Sequence, residues 1–291
     1  MLNTFKKLFF KPAKTTSTVC LIAKNEAPYL VEWLAYYRFL GFNDIVIYEN
    51  NSDDNSHEIL SKLAAAGKVT HRTWTLGKNE SPQITAYQDA IKRAETEWIL
   101  FVDADEFLVL HHHLTVNMFL SSFADRPEVT AIGVNWRLFG DNNNKKADSR
   151  PVMIRFIMAA EPNFVVNRHL KSFSRVAALN ELVHMHACAT SGNMAHPSGK
   201  PLSMSSWGLS DVVELSVAQV NHYYTKTAEE YQKKKLRGQG GAGDDKPELK
   251  YWYNDKSFQS HNRNEIKDKA ILKHYIEIKR EIDELNTIVN T

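Results

Sequence analysis

The sequence predicts an α/β protein: a mostly parallel sheet flanked by helices, then a mixed antiparallel region and a C-terminal helix. Three observations carry this expectation. Short apolar runs alternate with helical periodicity from residue 17 to about residue 110, the pattern of strand–helix–strand units with parallel strands. The run ILFV at 99–102 is continuously apolar, as in a strand covered on both faces. That run leads into Asp103 and Asp105, at the carboxyl end where sheets of this kind bind ligands. A chain of 291 residues is long enough for one large domain, or one domain with an appendage.

Taken in order, STVCLIA (17–23) is the first buried strand. KNEAPYLVEWLAYYRFLGF follows as a helix, with Leu30, Trp33, Leu34, Tyr37 and Leu40 at helical spacing and Gly41 as its stop. DIVIYEN is the second strand, NNSDDNS supplies turn and cap residues, and HEILSKLAAAGKV is the second helix, closed by Gly67. A third strand lies around VTHRTWTL. After the loop GKNESP, the helix QITAYQDAIKRAETE delivers the chain to the strand WILFVDADEFLVL, 98–110. Beyond it the alternation weakens. LTVNMFLSSFA predicts a helix, VTAIGVNWRLFG a strand and DNNNKKADSRP an exposed loop, while HLKSFSRV, ELVHMHA and VELSVAQVNHYY predict antiparallel strands within 151–225. In the tail, Ile266, Ala270, Lys273, Tyr275 and Ile278 keep approximate helical spacing, which predicts a docked helix. Residues 237–247, RGQGGAGDDKP, hold four glycines and a proline, exclude regular structure and suit a lid.

Composition bounds the function weakly. A net charge of +2 argues against a nucleic-acid binder and against a disordered acidic chain. Cys20 and Cys188 belong to no CxxC pair or disulfide framework, so both are expected as reduced thiols in a cytoplasmic protein. No apolar run approaches the roughly 18 residues of a membrane span. The start, MLNTFKKLFFKPAK, lacks a signal-peptide pattern. Its Lys6, Lys7, Lys11, Phe5, Phe9 and Phe10 can touch an anionic membrane surface, the alternative being a frayed terminus.

Asp103 and Asp105 are two residues apart, so in a strand their carboxylates share a face and can grip one divalent cation. Mg²⁺ and Mn²⁺ take oxygen ligands and are shared with substrate phosphates, which makes a diphosphate site the functional reading. A solvated turn is the plain one. At the same edge, Glu49 and Asp54 flank the turn after the second strand, where carboxylates can accept from a nucleobase or from ribose hydroxyls. Helix capping by Ser52, Asp53 or Asp54 competes with that role, with Asp53 the favoured cap. Lys24, Asn25 and Glu26 lie at the first loop, where a nucleotide would lean.

Three segments, CLIAKNEAPYLVEWLAYYRFLGFNDIVIYENNSDDNS, QITAYQDAIKRAETEWILFVDADEF and HYYTKTAEEYQKKKLRG, together resemble GT-A glycosyltransferases of the group related to families 2 and 92, over roughly residues 17–238. The resemblance implies a GT-A-like catalytic domain at 17–238, with a nucleotide-binding half (17–110) and an acceptor-side half (111–238). A basic segment (1–16) precedes it, and a glycine-rich loop with a helical tail (239–291) follows. It implies transfer of a sugar from a nucleotide diphosphate sugar to a glycan, glycolipid or protein acceptor, with Mn²⁺ or Mg²⁺ held by Asp103 and Asp105. His222 stands where the family places a third metal ligand; by itself a histidine in an aromatic strand is more often structural. Lys226, Lys233, Lys234, Lys235 and Arg237 follow, and Lys226, Lys234 and Arg237 are the expected diphosphate contacts, against the alternative of a solvated basic face.

An inverting reaction needs a base. Glu181 is the candidate, with Asp141 and Asp211 as further acceptor-side carboxylates, none inside a motif. His111, His112 and His113 point to different faces and suit a strand end. His184 and His186 would share a strand face as pocket or packing residues. Two rival functions remain at this level: a nucleotidyltransferase, against which KNEAPY stands where a glycine-rich phosphate loop is usual, and a catalytically silent binding protein.

Overall fold

The computed structural model describes residues 15–75, 80–184, 186–237 and 254–291, without the side chains of 180–184, 187, 189 and 237. The basic start and its membrane contact lie outside the described residues, as does the lid beyond residue 237.

The first half follows the expected alternation. Strand β1 (Ser17–Ala23), helix α1 (Ala27–Phe39), β2 (Asp44–Glu49), α2 (Ser56–Ala65), β3 (Thr70–Thr73), α3 (Pro82–Arg93) and β4 (Trp98–Phe101) succeed one another. The four strands run parallel in the order β3-β2-β1-β4. Both faces are covered, as the apolar run predicts. Ile99 and Phe101 pack with Cys20, Tyr48 and Tyr87, while Trp98, Leu100 and Val102 pack with Leu21, Trp33 and Leu34 of the other layer. Local signals hold: Gly41 and Gly67 take positive φ (79° and 68°) after their helices, and Ser81 caps α3 by accepting from the Ile84 N–H at 3.4 Å. Cys20 and Cys188 are free and buried.

The first correction concerns residues 98–110, which form two strands. The chain leaves β4 at Phe101, turns at Asp103–Asp105, and resumes as β5 (Glu106–Leu110). The turn is closed by the Glu106 N–H donating to the Asp103 carbonyl at 3.1 Å. Apolar content concealed the break, because Ala104 and every residue of β5 are buried as well.

Helix α4 (Val116–Ser121) precedes the ten-residue strand β6 (Val129–Leu138). Strand Leu170–Arg175 inserts antiparallel between β4 and β6, and Ala218–His222 lies parallel to the end of β6 and antiparallel to β5. Among the described residues this is one mixed, mostly parallel nine-stranded sheet, so the two halves of the chain share it. Helix Ala228–Arg237 follows.

The tail is corrected too. Ile266 lies in a two-residue strand and Ala270–His274 in a 3₁₀ turn, so the regular helix is Tyr275–Val289. Its buried stripe is Ile278, Ile282 and Leu285, docked on α1 and tied at the rim by Arg38 to Glu281 at 3.0 Å. No helix among the described residues is long and apolar enough to cross a membrane.

Candidate functional site

The Asp103–Asp105 turn sits at the carboxyl edge of β4, and the sheet register brings distant residues to it. In the antiparallel pair, His222 lies opposite Glu106, and the following Tyr223 N–H donates to the Asp105 carbonyl at 2.9 Å. This places the imidazole Nε2 3.7 Å from Asp105 Oδ1, beyond hydrogen-bond length. Both side chains are buried. Lys234, from helix Ala228–Arg237, donates to the other oxygen, Asp105 Oδ2, at 2.6 Å, with its ammonium 4.4 Å from the Tyr224 ring centroid. Burial works against charge on Asp105, but Lys234, His222 and Lys226 outweigh it and hold the carboxyl far below the usual carboxylate range. Burial keeps the His222 imidazole neutral, well below the ordinary histidine value, against the pull of Asp105.

The two aspartates do not share a face here, because a turn replaces the expected strand. Asp103 looks toward Lys171, whose Nζ donates to its Oδ2 at 2.9 Å, and toward Gln83, whose Nε2 donates to its Oδ1 at 3.2 Å. Lys171 is fully buried and also meets Glu106 Oε2 at 3.2 Å. Burial opposes the Lys171 charge, but Asp103 and Glu106 prevail and hold its proton. Burial also pushes the Glu106 carboxyl up from the ordinary glutamate range. Neither Lys171, Gln83 nor Glu106 was foreseen. Lys171 had a signal: between Leu170 and Ser172 it stands in strand alternation with Phe173, on the core face, where an unpaired lysine is prohibitive.

Lys226 precedes helix Ala228–Arg237 in a left-handed turn (φ 47°), buried, with Nζ 4.3 Å from the Tyr29 ring centroid. Burial lowers its pKa, opposed by Asp105 and Glu26. Lys233 is on the solvent side, paired with Glu229 of its own helix, and Lys226 lies before that helix rather than on it. Lys234 turns inward instead. The Arg237 side chain lies outside the described residues.

The first loops are knitted together. The Asn25 N–H donates to Ser52 Oγ at 3.0 Å while Asn25 Oδ1 accepts from the Asp53 N–H at 2.7 Å. The buried Glu26 N–H donates to Ser56 Oγ at 3.1 Å. Asp54 accepts from the Ala27 N–H at 3.1 Å and from the Ser56 N–H at 2.9 Å, so it serves the starts of both α1 and α2. Asp53 was the expected cap. Asp54 takes that part instead, with one carboxylate oxygen engaged at each helix start. Lys24 is half-buried in the same loop. Glu49 is buried, accepts from the Ser52 N–H at 2.5 Å, and has His57 Nδ1 3.3 Å from its other oxygen.

Glu181 lies in strand Leu179–His184, in register with Ala189; its side chain is outside the described residues. His184 ends that strand, its side chain likewise outside the described residues, and His186 stands in a turn. Trp136, not foreseen, gathers three imidazoles: its ring centroid is 4.2 Å from His222, 4.8 Å from His169 and 5.1 Å from His186. Asp141 orders its own loop, accepting from the Asn143 N–H at 2.8 Å. His111 contacts Gln219.

Carboxylates and lysines therefore gather on one edge of the sheet of an α/β protein. The sequence itself then fixes the family. The chain belongs to glycosyltransferase family 92, whose sequence profile matches residues 15–272. A family 92 protein of rice (Oryza sativa subsp. japonica) is 30% identical over 164 residues, 56% of this chain and 27% of that protein. One of Arabidopsis thaliana is 28% identical over 222 residues, 70% of this chain and 34% of that protein. The chain therefore spans about a quarter to a third of these relatives' length. Among solved structures, S. aureus TarS 1-349 in complex with UDP-GlcNAc aligns at 14% identity and TM-score 0.41, covering 94% of this chain and 82% of that one. Glucosyl-3-phosphoglycerate synthase from Mycobacterium tuberculosis, in complex with Mn²⁺, UDP and glucosyl-3-phosphoglycerate, aligns at 11% identity and TM-score 0.34, covering 57% of this chain and 58% of that one.

Proposed function

We propose that the chain is a GT-A-type, metal-dependent glycosyltransferase that moves a sugar from a nucleotide diphosphate sugar to an acceptor hydroxyl with inversion. The observation that carries this is the facing pair Asp105 Oδ1 and His222 Nε2, buried, 3.7 Å apart and not hydrogen-bonded to each other. A hard carboxylate oxygen and a neutral imidazole nitrogen suit Mn²⁺ or Mg²⁺. Asp105 and His222 would hold the ion, and Asp103 would join them by exchanging its bond to Lys171 or Gln83. When bound, such an ion neutralises diphosphate charge. Lys234 and Lys226 serve the same end from the protein side: each is a cation held close to Asp105, ready to meet phosphate oxygens as the nucleotide leaves. Glu49 and the loop of Lys24, Asn25 and Glu26 would border the nucleoside. Glu181 is the proposed base, taking the acceptor proton. Glycan, glycolipid and protein acceptors all present the required hydroxyl.

The test is nucleotide release from a panel of nucleotide diphosphate sugars with Mn²⁺, with and without acceptors. Release with one donor that vanishes on chelation supports the reading. Pyrophosphate release from a nucleoside triphosphate would favour a nucleotidyltransferase, and tight donor binding without release a silent binding protein.

A further inference from the structure

Two strands away from the Asp103–Asp105 turn, at the carboxyl ends of β2 and β3, lies a second constellation. In the parallel pairing of β2 with β3, Ile47 aligns with His71, so His71, Ile47 and Glu49 share a sheet face. Ile47 packs in the same cluster as Leu60 and Leu63, so this is the face that α2 covers. His57 stands in the first turn of that helix. One ligand atom each from Glu49, His57 and His71 lies within 4.8 Å of the others, the only such group of three among the described residues.

We infer that Glu49, His57 and His71 form a binding site for a divalent transition-metal ion of the Zn²⁺ type, separate from the Asp105–His222 edge. Three features carry it. Ligand atoms about 2.1 Å from a tetrahedral ion sit about 3.4 Å apart, and His57 Nδ1 is 3.3 Å from Glu49 Oε2. His71 Nε2 is buried and has no hydrogen-bond partner, a loss that a coordinate bond would remove. Two imidazoles with one carboxylate make a nitrogen-rich set that favours Zn²⁺ over Mg²⁺, and three protein ligands leave a fourth position open. Burial, followed by the nearby His57, lowers the His71 pKa, leaving the neutral form a metal requires. An ion there would clasp the start of α2 to the ends of β2 and β3. The alternative is a simple His57–Glu49 ion pair, which leaves His71 without a role.

The experiment uses the full chain carrying Asp105→Ala and His222→Ala, so that the other edge is silent. After chelation and dialysis, Zn²⁺ is titrated calorimetrically in millimolar Mg²⁺, and Co²⁺ is followed by its visible absorption. The expected result is one tight ion per chain, with a tetrahedral Co²⁺ spectrum and a rise in Tm. Adding His57→Ala should weaken binding about 100-fold or more, since even outer-shell partners of a metal cost about 10- to 100-fold. His57 is more than half exposed, so its loss leaves the fold intact; His71→Ala should act alike. No Zn²⁺ uptake in this background, or uptake indifferent to His57→Ala, overturns the inference. Either result leaves the glycosyltransferase reading to stand or fall on donor turnover in the unmodified chain.

Discussion

Asp105 carries the account at the level of the single residue. Its carboxylate is buried, yet three cationic or imidazole partners keep it ionised, which is the form both a cation and Lys234 require. Asp105→Ala is therefore expected to lower turnover about a thousandfold, about 4 kcal/mol of barrier, while circular dichroism stays native. Turnover within tenfold of wild type would remove Asp105 from the mechanism. Glu181→Gln should lower turnover by about 10²- to 10⁴-fold, the usual contribution of a general base, with donor affinity retained in calorimetry; equal loss of affinity would make it a binding residue. The aspartate spacing was readable from the sequence, but its geometry was not, since no periodicity distinguishes a strand from a turn when both are buried. Lys171 left a readable trace as a lysine on a core face. Gln83 left none, because one amide on an amphipathic helix is ordinary.

Among the elements, the stretch from His222 to Lys234 brings His222, Lys226 and Lys234 to Asp105. Strand register fixes His222 opposite Glu106. A capping box then starts the helix: Thr227 Oγ1 accepts from the Glu230 N–H at 3.2 Å, and Glu230 Oε2 accepts from the Thr227 N–H at 3.1 Å. Glu230 also receives both arms of the buried Arg155 guanidinium, at 3.0 and 2.8 Å, and the Tyr29 hydroxyl at 2.9 Å. Glu230→Ala strands a buried arginine and should cost about 3 to 5 kcal/mol in urea unfolding, with weaker donor binding as Lys226 and Lys234 lose their anchor. Although burial opposes it, Arg155 and Thr227 bring the Glu230 pKa down to about 2. A depressed carboxyl pKa gives stability that is full above the ordinary glutamate value of 4.5 and is lost as pH falls toward about 2. Glu230→Gln should remove that part of the acid dependence; an unchanged acid limb in denaturation would contradict it. The box was not foreseen, although it has a local signature, Thr227 followed three residues later by Glu230. Arg155 was not legible, because it ends a four-residue helix, Val152–Arg155, too short to leave a periodic signal.

Across the whole molecule, Leu170–Arg175 pairs with β4 and Ala218–His222 pairs with β5, which joins the two halves, and the long strand β6 lies between those two strands. The parallel half was legible, because β1, β2 and β4 carry apolar runs and helices alternate with the strands from β1 to β4. The order of the later strands was not, since antiparallel partners separated by tens of residues leave no local trace. The C-terminal helix closes the α1 layer, and its Leu285 is fully buried. Leu285→Ala should lower unfolding free energy by about 2 to 5 kcal/mol and leave donor affinity as in wild type; a matching loss of affinity would tie the tail to the site. What joins these scales is the claim that Asp105 and His222, over a hundred residues apart in the chain, hold one ion beneath the diphosphate. Anomalous diffraction at the manganese edge, from crystals soaked with Mn²⁺ and a nucleoside diphosphate, measures this directly. The account predicts a single peak about 2.0 to 2.3 Å from both Asp105 Oδ1 and His222 Nε2, ordinary coordination distances; a peak with His222 more than about 3 Å away, or none at this edge, would contradict it.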